Sequence, residues 1–225
     1  GQYINKTEDV KDIALNNISV INAKLPYDIM GLPNKKIKNI TITNYTVRYN
    51  HTQDAVAYNK VPFGEFAYPM AIMFKNLPAY GLYCRNVEGL HLQNINMYAA
   101  PDEKRAAMAF DKVNNVELLS IIADTKTPAT PMVHLRNANN FTAAFCESRQ
   151  KNNVLFEIEK DNCTALHFYD NIIQAGQKEK LEVNALPDEK VFEDFDTEIK
   201  YSIDKGEKIN GLPAYDLSKH PLNIN

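Results

Sequence analysis

The sequence predicts an all-β chain wound as a single-stranded right-handed parallel β-helix. Three observations carry that expectation. A short pattern returns about every 25 residues, apolar and polar positions alternate inside each copy, and Asn recurs at fixed points between them. The first copy reads Val10-Lys11-Asp12-Ile13-Ala14-Leu15-Asn16-Asn17-Ile18-Ser19-Val20. It returns over residues 37–47, 87–97, 113–123 and 138–148, and more weakly over 163–173. Leu15, Ile42, Leu92, Leu118, Ala143 and Phe168 hold one shared position, with steps of 27, 50, 26, 25 and 25 residues, the 50 being a double step. A fixed period of this size marks a stacked repeat.

Within a unit, Leu90, Leu92 and Ile95 alternate with polar residues, as do Ile40, Ile42 and Val47. That is the period of a strand, and the β-branched content suits one. A leucine-rich repeat would need a tighter Leu consensus and a helical return. A WD-type propeller blade would be longer and would usually carry Trp, which the chain lacks. A second strand occupies the other half of each unit, over residues 79–85, 106–111, 130–136 and 153–159. Two or three strands per coil describe a β-helix in which each coil buries its apolar side only against its neighbours. Strand spacing sets a rise of roughly 4.8 Å per coil. The Asn positions fit the turns. Asn17, Asn44 and Asn94 share one, and Asp12, Asn39, Gly89, Asn115 and Asn140 share another. Asn, Asp and Gly tolerate left-handed backbone angles, and stacked Asn side chains can bond from coil to coil.

The double step contains an insertion, residues 49–78, rich in aromatic residues (Tyr49, Tyr58, Phe63, Phe66, Tyr68, Phe74) and carrying Pro62, Pro69 and Pro78. A long loop of that composition is expected to fold over one flank, as a lid or as a pack of rings closing that side. From 182 to 225 the repeat fades. This tail holds the acidic run Glu193-Asp194-Phe195-Asp196 and is expected to cap the open strand edge at the end of the helix. The expected organisation is one domain, with β-helix over 1–181 and cap over 182–225.

The net charge of −3 and the lack of a basic stripe exclude nucleic acid as a partner. No apolar stretch approaches the length of a membrane-spanning helix. Three cysteines, Cys84, Cys146 and Cys163, with no paired spacing, exclude a disulfide framework and a zinc site; no metal or cofactor is expected. Cys84 and Cys146 fall at apolar positions and are read as buried thiols. Asn-x-Ser/Thr triplets occur at Asn5, Asn17, Asn39, Asn44, Asn50, Asn140 and Asn162, mostly inside the repeat, and are read as turn composition. His51, His91, His167 and His220 are read as scattered surface or turn residues.

Three stretches carry a resemblance: residues 29–34 with 37–44; Val61-Pro62, Tyr68-Pro69 and residues 77–90; and, more weakly, residues 131–141. They resemble the last coils of bacterial members of glycoside hydrolase family 28, the polygalacturonases and rhamnogalacturonases. That resemblance implies a pectin-lyase-like β-helix. It also implies inverting hydrolysis of pectin-type polysaccharide by carboxylates about 6.5–9.5 Å apart, and a secreted or periplasmic location. The family's Asn-Thr-Asp, Asp-Asp and Gly-His-Gly motifs are absent here. Lys36-Ile37-Lys38 only mimics its Arg-Ile-Lys, in another context. No catalytic residue carries over, so the chain is expected to be inactive alone.

Two outward columns remain as candidates for gripping an acidic or plant-type polysaccharide. Arg85, Asp111, Arg136 and Glu159 alternate in sign on successive coils, which predicts a solvated salt-bridge ladder. Tyr83, His134 and Glu157 form the column beside it. The arginines could hold a uronate carboxylate in fork geometry. Asp111 and Glu159 lie two coils apart, but Arg136 between them keeps both ionised, unsuited to a general acid. Three roles stay open: a hydrolase portion that needs further N-terminal coils or a partner chain over its first coil, a non-catalytic carbohydrate-binding or adhesion module, or a purely structural β-helix.

Overall fold

Apolar–polar alternation broken by left-handed residues bends each strand into flat facets, and the facets stack. A computed structural model describes residues 9–32, 35–58, 61 and 76–184 of the chain. The chain divides into two compact units, 1–189 and 190–225; the second lies wholly outside the described residues. The capping role expected of 182–225 therefore falls almost entirely outside them. So do the rings of Phe63, Phe66, Tyr68 and Phe74.

The first unit is a parallel β-solenoid of about six turns. Its strands are β1 (Lys11–Ala23), β2 (Tyr27–Met30), β3 (Ile37–Tyr49), β4 (Ala79–Tyr98), β5 (Ala106–Ala123), β6 (Val133–Ala144), β7 (Glu147–Ser148), β8 (Val154–Glu159), β9 (Thr164–Tyr169) and β10 (Lys178–Val183). Every strand pairing is parallel, in the order β1-β3-β4-β5-β6-β8-β10, with β2 on β4, β7 on β5 and β9 on β6. The coil register expected from the repeat holds throughout. Leu15 faces Ile42, then Leu92, Leu118, Ala143 and Phe168 in turn. β10 carries the solenoid to Val183, two residues past the expected end of the repeat.

Left-handed backbone makes the corners. One column, Asp12, Asn39, Gly89, Asn115, Asn140 and Ala165, has φ between 50° and 75°. A second, Asn17, Asn44, Asn94, Ser120, Phe145 and Asp170, lies between 47° and 58°. A third corner, at Asn86, Lys112 and Asn137, was not read from the sequence. Most of these residues are Asn, whose short polar side chain tolerates this region. Gly89 fits for a second reason: a Cβ there would stand 3.0 Å from Asn39 Oδ1. The side chains form ladders. Asn39 Nδ2 donates to Asp12 Oδ1 at 2.8 Å, Asn94 Nδ2 to Asn44 Oδ1 at 2.8 Å, and Asn140 Nδ2 to Asn115 Oδ1 at 2.7 Å. Asn39, Asn44 and Asn140, each opening an Asn-x-Ser/Thr triplet, thus spend the amide nitrogen on the ladder.

Between corners, the inward residues form one apolar column per facet. Leu82, Leu90, Leu92, Ile95, Met108, Phe110, Leu118, Phe141 and Phe156 are all buried, and Phe110 meets Phe141 edge to face at 5.3 Å. Each such side chain stabilises the fold by about 1.5–3 kcal/mol relative to exposure. Cys84 and Cys146 are buried free thiols within this core, as expected, and Cys163 is half-buried and also free.

Asn44→Ala removes an amide that donates to Asn16 and Asn17, and it forces Ala into φ 54°. The expected cost is about 2 kcal/mol. Asn44→Gly, which relieves the backbone but not the ladder, is expected to cost about half as much. Urea-unfolding midpoints of the two variants check the ratio.

Candidate functional site

The seven candidate residues stand in the expected register on the facet formed by the first halves of β4, β5 and β6 and by β8. Arg85 faces Asp111, Asp111 faces Arg136, Tyr83 faces Ala109, and His134 faces Glu157. Their surroundings differ from the expectation. The ladder is not solvated: Arg85, Asp111, Arg136 and Glu159 are all buried, Tyr83 is fully so, and His134 and Glu157 are half-buried. The cause is the insertion. It starts after Tyr49, which still belongs to β3, and its Tyr58, Val61 and Leu77 lie against this facet.

Tyr58 is the centre of that cover. Its hydroxyl meets His134 Nδ1 at 2.7 Å, and its ring stands 5.1 Å from the imidazole and 6.0 Å from Tyr83. Val61 O accepts from Arg85 Nη1 at 2.7 Å. Tyr58, Val61, Leu77, Ala79, Tyr83 and Ala109 form a second, small apolar cluster outside the main core. A buried pair not foreseen from the sequence anchors the cover. Arg105 makes a bidentate pair with Glu103, Nε to Oε1 and Nη2 to Oε2 both at 2.8 Å, and its Nη1 reaches Gln53 Oε1 at 3.1 Å. The expected closure of one flank by aromatic packing is thus present at Tyr58.

Beneath the cover, charges are matched. Arg136 Nε lies 3.7 Å from Asp111 Oδ1 and 3.5 Å from Glu159 Oε2. Asn137 Nδ2 donates to Asp111 at 2.9 Å. His134 Nε2 lies 3.7 Å from both Glu157 Oε1 and Glu159 Oε1. Burial, reinforced by the Arg136 charge, lowers the His134 pKa to about 4 despite those carboxylates. A neutral imidazole accepting from the Tyr58 hydroxyl at Nδ1 presents its Nε2 proton to the two glutamates. Burial raises the Glu157 carboxyl, and burial followed by the neighbouring anionic groups raises the Tyr58 phenol. The Tyr83 hydroxyl is buried and finds no hydrogen-bond partner among the described residues. The arrangement ties coils together; two carboxylates gripped by one guanidinium do not make an acid–base pair.

The solvent-facing polar surface is on the next facet. A shallow groove of about 300 Å³ is lined by Asn39, Thr41, Gly89, His91, Asn115 and Glu117. His91 is no scattered residue: its Nδ1 meets Glu117 Oε2 on the following coil at 2.7 Å. The signal was the 26-residue step between them, the repeat length itself. Lys36 and Lys38 flank Glu88 at 3.9 and 4.0 Å beside this groove. Further along the facet, His167 and Tyr169 lie with their rings nearly parallel, 6.2 Å apart. Among the described residues no cluster of His, Cys, Asp or Glu suits a metal ion, and no helix is long and apolar enough to cross a membrane.

No family model matches the chain, and no curated protein does. A similar solved structure is the mannuronan C-5 epimerase A-module of Azotobacter vinelandii, at 10% identity and a TM-score of 0.33, over 80% of this chain and 56% of that one. The chain thus spans just over half of that module's length, and at this TM-score the likeness bears on neither site nor activity.

The His134 shift gives a pH prediction. Its folded pKa lies below the unfolded value of about 6.5, so it contributes stability that is full above pH 6.5 and is lost as pH falls toward 4. Glu157, shifted upward, acts in the opposite sense and offsets part of the loss at the acid end. Unfolding free energies measured between pH 7 and 4 should fall more steeply for the wild type than for His134→Gln. Tyr58→Phe, which leaves His134 Nδ1 without its partner, should cost about 1–2 kcal/mol at pH 7.

Proposed function

We propose that the chain is the C-terminal β-helix portion of a polygalacturonase-like protein of the glycoside hydrolase family 28 type. It meets pectin-type polysaccharide outside the cytoplasm and, on its own, holds the polymer without cutting it. The stretches at 29–44 and 77–90 support the family. One observation carries the lack of hydrolysis: the Asp111–Arg136–Glu159 ladder is ion-paired and closed under Tyr58 and Val61. Both carboxylates are buried.

Sugar contact falls to the open facet. The His91–Glu117 groove offers hydrogen-bonding groups across adjacent coils, with Lys36 and Lys38 at its edge for uronate carboxylates. Tyr83, Arg85, Asp111, His134, Arg136, Glu157 and Glu159 contact sugar only with the insertion displaced. A purely structural β-helix is the second reading, favoured by the same closed ladder.

Incubated with polygalacturonate, the purified chain should release no new reducing ends; turnover that Asp111→Asn abolishes would overturn this. Titration with oligogalacturonides should show binding that His91→Ala weakens several-fold. Absence of binding would leave the structural reading standing.

A further inference from the structure

The facet that follows the Asn17–Asp170 corner column carries a charge imbalance that neither the core nor the covered ladder uses. Arg48 and Tyr98 are cross-strand partners on β3 and β4. Asp124 and Arg149 continue their column on the next two coils, since the amide nitrogens bond Met97 O and Ala123 O. Tyr98 is clamped between two cations. The guanidinium carbon of Arg48 stands 3.7 Å from its ring centre and that of Arg149 3.9 Å. Two guanidiniums that close to one ring fit only on opposite faces, one from the coil before Tyr98 and one from two coils after it. The two cations differ in what they have left to offer. Arg149 is fully engaged: its Nη1 donates to Met97 O at 2.9 Å and lies 3.4 Å from Asp124 Oδ1, and its Nη2 donates to Asn96 Oδ1 at 2.7 Å. Asp124 is engaged too, for its Oδ2 accepts from Lys126 Nζ at 3.0 Å and from Ala99 N at 3.2 Å. Arg48 is exposed, and among the described residues its guanidinium has only the Tyr98 ring. Arg48, Lys126 and Arg149 together face the single carboxylate of Asp124, on a chain whose net charge is −3. The other carboxylate on these strands, Glu147, sits three coils from Arg48, roughly 14 Å away.

We propose that Arg48, held in place by Tyr98, binds the carboxylate of an acidic sugar unit. The ligand class rests on the function proposed above; the site does not, and it lies across the Asn17–Asp170 corner column from the His91–Glu117 groove. A free arginine side chain gives up much rotamer freedom when it binds. Stacking on Tyr98 removes that freedom beforehand and leaves the N–H fork, which lies in the guanidinium plane, ready for a ligand. The fork matches the two oxygens of a carboxylate, and Arg149 and Lys126 add an attractive field around it. Both faces of the Tyr98 ring are occupied, so the ring is a positioning group for Arg48 and does not itself stack on sugar.

Calorimetric titration of the full-length chain with oligogalacturonides, their methyl esters, oligoglucuronides and inorganic phosphate tests this. The acids should bind and the methyl esters should bind several-fold more weakly. Arg48→Ala should weaken the acids about fivefold or more. Arg48→Lys, which keeps the charge but not the fork, should recover only part of that. Tyr98→Leu should match Arg48→Ala, whereas Tyr98→Phe keeps the ring and should bind within about twofold of wild type. Oligogalacturonide binding that Arg48→Ala leaves unchanged overturns this site and spares the proposed function, which His91→Ala reads separately. Arg48-dependent binding of oligoglucuronides alone upholds the site and ends the pectin reading. Binding of neither uronide, or of phosphate only, overturns the proposal. Should Arg48→Ala or Tyr98→Leu lose its fold by circular dichroism, Arg48→Lys and Tyr98→Phe decide: the first must weaken binding and the second must not.

Discussion

The fold depends on where the backbone can turn left-handed. A parallel solenoid bends at the same place on every coil, and a single residue out of step would rotate all later side chains to the wrong side. Here two columns of left-handed residues, one at Asp12 through Ala165 and one at Asn17 through Asp170, hold the bends in line. Asn serves twice at these points. It tolerates the angle, and its amide bonds to the coil below. Where Asn is missing, as at Ala165 and Phe145, the column survives on the bend alone, and both cases fall near the far end.

That constraint explains what the sequence disclosed. Corner residues and inward apolar residues are set by their own coil and its neighbours, about 25 positions away, so their period is written into the chain. Leu15 through Phe168, the Asn ladders and the Arg85–Asp111–Arg136 alignment could all be placed by counting. The third corner, at Asn86, Lys112 and Asn137, was hidden because Lys at a left-handed position looks like ordinary surface. His91 and Glu117 escaped because each was weighed singly and not as a column.

Burial of the candidate ladder was not legible. Periodicity reports which way a side chain points from its own coil. It is silent on whether another segment returns to cover that side. Tyr58 reaches His134 across 76 residues, three coil lengths, with no repeat to announce it. A row of alternating charges looks the same in water and under a lid. Only the lid changes its chemistry, from a screened surface array to a matched set of buried ions whose loss of any one member strands its neighbours.

The reach of the insertion has a mechanical side. A bare solenoid holds each turn only through the next, so pulling or heating can peel turns from an end one at a time. A segment that leaves the chain after Tyr49 and fastens to Arg85, Arg105 and His134 staples three successive turns from outside. Those turns must give way together. The middle of the rod then behaves as a single rivet-bound block, and loosening begins in the turns beyond it.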